Sequence, residues 1–328
     1  MKYLITGATG FIGPYLIQRL TAMGHHCRCL VRPGSNTDPL KDLSVEFVSG
    51  DITEKDTLTG IAGGMDVLVH MATLGHMSNF TVSESRFEAV NVQGTINIME
   101  AALAAGVKTI VHCSTVAAMG ICTDNPATEK SDCFPHHPYG RSKLRAENEV
   151  LRLFKVKGLP AVIIRFSMVY GPGDHRDILK LTRLAKKGLF PKVGSRSKLT
   201  PLVHVEDAVS GILAAVANGK SGEIYLITNP QSEPFDKIRE IIHTALGMKG
   251  FMLYVPEWPA LIAASVIEKL FTVLGKTPPV SRKNIESTLA DRVFSIEKAQ
   301  RELDFNPKID PENGLRETVD WYKTHGWV

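Results

Sequence analysis

A tyrosine and a lysine four residues apart, in Tyr139-Gly140-Arg141-Ser142-Lys143, are the residues with the plainest chemistry in this sequence. At helical spacing the two side chains share one face, so a phenol and an ammonium reach the same small volume. A phenol ionises near pH 10 and is a poor base at neutral pH, whereas a neighbouring cation favours the phenolate and draws the ionisation toward the working range. The spacing therefore predicts an acid/base residue, Tyr139, tuned by Lys143. Such a pair is common by chance. It gains weight because Thr115, at the end of an apolar run, stands 24 residues upstream, and because the chain opens with a glycine turn.

That turn is Thr6-Gly7-Ala8-Thr9-Gly10-Phe11-Ile12-Gly13, between a β-branched run and a helix-length segment. Gly7 permits the tight turn, Gly10 lets a pyrophosphate approach the backbone, and Gly13 lets helix and strand pack closely. Exposed amides at the helix start then face the anion, with Thr9, Phe11 and Ile12 completing the segment. The cofactor's ribose is read at the end of the second strand, where Asp or Glu would hold the hydroxyls of NAD. Here stand Leu30, Val31 and Arg32, and a guanidinium suits a 2′-phosphate. The expected cofactor is NADP(H), with NAD(H) the alternative. In Gly50-Asp51-Ile52, after the third strand, Asp51 is expected to accept from the adenine amino group, with Ile52 beside it.

The elements that must hold these groups follow a βα rhythm. Strands are predicted at 3–6, 27–31, 45–49, 67–71, 109–114 and 161–166. Helices are predicted at 11–23, 86–105 and 142–157, the last two ending at Gly106 and Gly158. Near-continuous apolar strands indicate burial on both faces, hence an α/β fold with a doubly wound parallel sheet of the Rossmann kind. Residues 1–170 are read as the dinucleotide-binding domain, with 201–228 returning to it through a strand near 225–228. Residues 171–328 form an interleaved, smaller, mainly helical substrate lobe that begins with a basic helix over 178–187.

Composition narrows the functional classes. The 328 residues are 44% hydrophobic and 22% charged, which excludes a disordered or low-complexity chain. A formal charge of +4 is too slight for a nucleic-acid footprint. Five cysteines without a CxxC pair suit reduced thiols, so a cytoplasmic location is expected. No signal-like segment opens the chain, and the apolar stretch 251–274 is too broken to span a membrane. It reads as a buried or substrate-covering helix. His136 and His137 are adjacent, but no Cys/His/carboxylate set has ligand spacing, so no metal is expected.

Together TGATGFIG, GDIT, HMA at 70–72, STVAAMG at 114–120, YGRSK and RFSMVYGPGD resemble an extended short-chain dehydrogenase/reductase, of the NAD-dependent epimerase/dehydratase superfamily, nearly end to end. The resemblance implies that Thr115, five residues before Gly120, hydrogen-bonds the substrate oxygen, with Ser114 as runner-up. It further implies that Tyr139 moves the proton, Lys143 binds the nicotinamide ribose, and hydride passes to or from the nicotinamide. Met71 and Ala72 would line that ribose mainly through backbone, with His70 a packed histidine, and Asn91 would act as structural and proton-relay support. A homodimer through the helices carrying Asn91 and Tyr139 is the arrangement the family implies.

Departures from the sugar-nucleotide pattern select among reactions. Met168 stands where those members carry an asparagine near the diphosphate, and a thioether cannot donate a hydrogen bond. Thr200-Pro201 replaces the Arg-Asp pair before Leu202-Val203-His204-Val205-Glu206-Asp207. Val116 and Ala117 occupy the dehydratase acid positions, which disfavours elimination. The rest, including the segment WPALIAASVIEKLFTVLGKTPP at 258–279, resembles the branch of 3β-hydroxysteroid dehydrogenases and dihydroflavonol 4-reductases. The expectation is NADP(H)-linked alcohol/ketone oxidoreduction on a small, largely apolar substrate. One alternative is a nucleotide-sugar 4-epimerase with bound NAD, in which Lys180, Arg183, Lys186, Lys187, Arg196 and Lys198 replace the missing diphosphate contacts. A second is a non-catalytic NAD(P)-binding sensor or scaffold.

Overall fold

The computed structural model describes residues 1–75, 82–190, 192–194, 198–248, 254–273 and 291–328. Short apolar runs separated by helices give strands β1 (Lys2–Thr6), β2 (His26–Val31), β3 (Glu46–Ser49), β4 (Val67–His70), β5 (Thr109–Thr115) and β6 (Ala161–Phe166). They lie in the order β3-β2-β1-β4-β5-β6, and Ile224–Ile227 closes the far edge beside β6. All neighbours are parallel. The chain moves outward in one direction from β1 and in the other from β4. This reversal opens a crevice at the carboxyl ends of those strands, the place where open α/β sheets hold ligands.

Every residue of β4 and β6 is buried, as double-sided coverage requires. One face packs Ile5, Leu16, Leu20, Val209 and Ile212; the other packs Leu4, Leu68, Ile98, Val150 and Leu153. Each such side chain contributes about 1.5–3 kcal/mol of burial energy. The helix of the glycine turn spans Ile12–Ala22. The segment predicted as one helix over 86–105 is instead Glu84–Phe87, a widened turn at Glu88–Gln93, and Gly94–Ala104. The next helix runs Pro138–Lys157 and ends on left-handed Gly158, φ 67°. It starts a turn earlier than predicted because a proline is preorganised for the first helical position, and this puts Tyr139 inside the helix.

The second lobe has its own core, with Tyr170, Ile178, Leu202, Ile242, Leu315 and Tyr322 at its centre. The strand Met168–Tyr170 pairs with Leu202–His204, so Met168 stands opposite Leu202. Two phenols tie the loop 171–176 down across the crevice: Tyr15 Oη donates to the Pro172 carbonyl at 2.7 Å, and Tyr322 Oη to that of Asp174 at 2.6 Å. The Asp207 carboxylate accepts from the amides of Lys308 and Ile309 at 2.8 and 3.0 Å, locking the C-terminal segment.

The apolar helix departs from expectation. It spans Glu257–Val273, and Trp258, Ile262, Val266 and Leu270 face outward rather than into a core. Its small residues, Ala260 and Ala264, are the ones that face the protein. Among the described residues no helix is long and apolar enough to cross a membrane; positions 274–279 of the quoted segment, and Arg196, lie outside those residues.

Candidate active site

The glycine turn is shaped by close approach. Gly7 has φ +73°, and a Cβ there would stand 2.7 Å from the backbone of Met71 and Ala72. A Cβ on Gly13 would stand 1.9 Å from the Ala8 carbonyl oxygen. Only glycine lets this turn press onto the end of β4 and the helix onto the turn. Gly10 is exposed, with its amide bonded to the Gly7 carbonyl at 3.0 Å; Thr9, Phe11 and Ile12 are half-buried beside it. No side chain caps the Ile12–Ala22 helix and no acid stands in its first turn. The backbone cradle therefore fits a dinucleotide pyrophosphate.

Met71 and Ala72 follow β4 directly. The Met71 amide donates to the Thr6 carbonyl at 3.1 Å and the Ala72 amide to Thr6 Oγ1 at 3.2 Å. Thr6 Oγ1 also meets His70 Nδ1 at 2.7 Å, and Thr95 Oγ1 meets Nε2 at 3.0 Å. Burial pushes the His70 imidazole down to about 3, so it is a neutral packing residue stacked on His112. At the end of β2, Arg32 is exposed and opens a turn closed by the Ser35 amide on its carbonyl at 3.0 Å, with Gly34 at φ +76°. Asp51 is half-buried and already engaged: its Oδ1 accepts from the amide and the hydroxyl of Thr53, each at 2.8 Å. Ile52 packs in the core, and its carbonyl accepts from Asn97 at 2.8 Å.

The hydroxyl pair is assembled where the Pro138–Lys157 helix meets the end of β5. A Cβ on Gly140 would fall 2.4 Å from the Ala117 carbonyl oxygen, so the helix rests directly on the turn Val116–Ala118. Thr115 Oγ1 accepts from the Ala117 amide at 3.1 Å, and its hydroxyl also shares a hydrogen bond with that of Tyr139. Burial pushes the phenol up to about 12, against the opposing pull of Arg176 and of the Thr115 bond. Expectation and structure differ here: the cation acting on the phenol is Arg176, not Lys143. Lys143 is buried, its Nζ donates to the Cys113 carbonyl at 2.9 Å, and burial lowers it to about 8 despite Glu147.

Ser114 is not part of this pair. Successive strand residues point to opposite faces, so Ser114 is turned into the protein, where its hydroxyl donates to the Glu147 carboxylate. Glu147 is held by Arg165, with Nη2 to Oε2 at 2.7 Å. Ser114→Ala should therefore cost about 1–3 kcal/mol in urea unfolding, by leaving a buried acceptor short of a donor, with kcat changed less than severalfold. Thr115→Val should lower kcat about 10²-fold, with about 0.5–2 kcal/mol of stability lost with the cap on the Ala117 amide. A reversed pattern in the two variants would move the site to Ser114.

Asn91 lies in the widened turn and has all its polar atoms engaged. Its Oδ1 accepts from the Leu74 amide at 2.7 Å and the Thr73 hydroxyl at 3.0 Å; its Nδ2 donates to the Leu74 carbonyl and to Ser142 Oγ at 3.1 and 2.9 Å. It clamps the loop after β4 to the helix carrying Tyr139. Among the described residues no group of three His, Cys, Asp or Glu is placed to hold a metal.

The profile of the NAD dependent epimerase/dehydratase family matches residues 3–228. The chain belongs to this family. It is an enzyme of the extended short-chain dehydrogenase/reductase superfamily. It is similar to a Synechocystis sp. protein named as a dihydroflavonol 4-reductase, 29% identical over 99% of this chain and 96% of the relative. It is also similar to the 2-alkyl-3-oxoalkanoate reductase of Stenotrophomonas maltophilia, 26% identical over 96% and 98% of the two chains. Among solved structures it resembles the dTDP-glucose 4,6-dehydratase DesIV of Streptomyces venezuelae with NAD and TYD bound, with 27% identity, TM-score 0.81, and 100% and 98% of the chains covered.

Two features of this epimerase/dehydratase-family enzyme escape a reading of motifs. Arg176 bonds Asp174 Oδ1 at 3.0 Å and the Val169 carbonyl at 3.2 Å, and lies 5.1 Å from the centre of the Phe11 ring. It thus joins the second lobe to the glycine turn, from an irregular loop with no periodicity to mark it. The Glu147–Arg165 pair had a signal: Glu147 follows Lys143 by one helical turn, and Arg165 interrupts a wholly buried strand.

Proposed function

We propose that this enzyme is an NADP(H)-dependent reductase that acts on a ketone carbon of a small, largely apolar substrate, with Tyr139 as the acid. The observation that carries the reading is the phenol of Tyr139, held at the end of β5 with its hydroxyl bonded to that of Thr115. A phenol is protonated at neutral pH, and one held beside the hydroxyl that orients the substrate oxygen is positioned to donate to it. The residues that would hold the nucleotide are Gly7, Gly10 and Gly13 at the pyrophosphate, Arg32 at the 2′-phosphate, and Met71, Ala72 and Lys143 at the nicotinamide ribose. The nicotinamide supplies the hydride when bound. Thr115 orients the carbonyl oxygen, and Tyr139 gives that oxygen its proton as the carbon is reduced. Arg176 then offsets the charge on the phenolate left behind.

Reduction without sugar-nucleotide chemistry is supported by the apolar substitutions. Met168 is packed against the second-lobe core, and Val116 is buried with Met119 and Phe294 where a dehydratase acid would stand. The names of the two reductase relatives point the same way, one of them to a 3-oxoalkanoate, a ketone with an alkyl chain on one side and an alkyl-bearing carbon next to a carboxylate on the other. The test is nicotinamide absorbance with NADPH and NADH against a panel of apolar ketones and UDP-sugars. Net consumption of NADPH with a ketone supports the reading. Tightly retained NAD, with a UDP-sugar converted and no net absorbance change, would overturn it. Arg32→Ala should weaken NADPH about 10-fold or more, through loss of a charge-assisted contact, and leave NADH nearly unchanged; equal loss for both would remove the 2′-phosphate role.

A further inference from the structure

The Glu257–Val273 helix is built with its large side chains outward. Ala260 and Ala264 face the protein at 7% and 1% exposure, whereas Trp258, Ile262, Val266 and Leu270 stand 70%, 57%, 60% and 56% exposed. A surface helix ordinarily does the reverse, and an apolar stripe left in water marks an interaction face. The four residues recur every fourth position, so they drift only about 40° per step and stay on one side of the helix.

What lies at the foot of that stripe identifies its partner. Tyr254 pairs with Lys192 in the short ladder that precedes the helix. Upstream of Lys192 the same chain carries Lys186, Lys187 and Leu189, all exposed. Two aromatic residues with polar tips, a run of branched aliphatics and flanking lysines are the pattern of an element lying in a lipid interface. Lys186 and Lys187 complement anionic head groups; the acids at the same end are Glu257 and Asp236, and Asp236 is paired with Lys192 at 2.8 Å. A protein partner would need no such division between an aliphatic stripe and a cationic, aromatic foot.

We propose that this face docks onto a lipid bilayer bearing anionic head groups, with the Glu257–Val273 helix in the interfacial plane. The proposal stands apart from the reductase reading and does not depend on it. It is tested with the full chain and vesicles of phosphatidylglycerol or phosphatidylcholine. Co-sedimentation with phosphatidylglycerol vesicles is expected, weaker by about 10-fold or more with phosphatidylcholine, and reduced about 10-fold or more by Ile262→Glu with Val266→Glu. Retained cofactor binding in a thermal-shift assay shows that this variant is folded. Independently of any destabilised variant, brominated lipid should quench the unmodified protein's tryptophan fluorescence, and Trp258→Phe should abolish that quenching.

No binding to either vesicle overturns the proposal. So does binding that survives both glutamates in the folded variant, since it would arise elsewhere on the surface. A dimer seen by sedimentation without lipid, and lost in that variant, would assign the stripe to a second copy of the chain and overturn the lipid assignment.

Discussion

Tyr139→Phe is expected to lower kcat for ketone reduction by about 10²–10⁴-fold, the range for loss of a positioned proton donor. The substitution removes only the hydroxyl from a ring packed near Phe87, with centroids 6.5 Å apart, so fold and nucleotide affinity should change little. The hydroxyl is the partner of Thr115 and is held protonated by burial. Its loss leaves no proton for the oxygen while the groups that hold the nucleotide remain. The measurement is steady-state kinetics alongside an NADPH titration of both proteins. Unchanged kcat on a substrate the unmodified enzyme turns over would remove the acid role and favour a protein that only binds nucleotide.

Lys143→Met should abolish most activity yet leave the fold as stable or more so. Burial lowers this ammonium from 10.5 to about 8, so the folded state disfavours its charge. The unfolded chain therefore binds more protons between those values, and stability rises with pH across that window. Below about 8 the full cost of the buried charge is present. Replacing it with a methionine of similar length should recover on the order of 1–3 kcal/mol at neutral pH and flatten the rise above it. Catalysis should fall about 10²-fold or more, through loss of the cation proposed at the nicotinamide ribose. In the unmodified enzyme, reduction should decline above pH 8 as this group loses its charge. Urea unfolding across pH, paired with the pH–rate profile, checks both statements. A variant markedly less stable than the parent at neutral pH would show that the Cys113 contact outweighs desolvation.

The glycine turn and the positions of the strands are legible because both are local. Gly13 is demanded by backbone approach within one βα unit, whereas Gly7 also answers to the end of β4; short buried strands announce themselves by continuous apolar runs. The pairing of Tyr139 with Lys143 was legible as a spacing, since one helix carries both.

What belongs to tertiary structure is which neighbour acts on which group. Lys143 was read as the cation beside the phenol from its place in the helix, but its Nζ is drawn to the Cys113 carbonyl at 2.9 Å, and Arg176 arrives from another lobe. Ser114 and Thr115 are equivalent hydroxyls in sequence, and only the pleat of β5 sends one to Tyr139 and the other to Glu147. The composition of the apolar helix indicates a buried or substrate-covering element, whereas its alanines face the protein and its large residues are exposed. Side-chain type and spacing follow from the chain alone. The electrostatic partner of a buried group, and the face that an apolar helix hides, are set by contacts between segments far apart in sequence, because those contacts decide which charges are desolvated and how closely they approach.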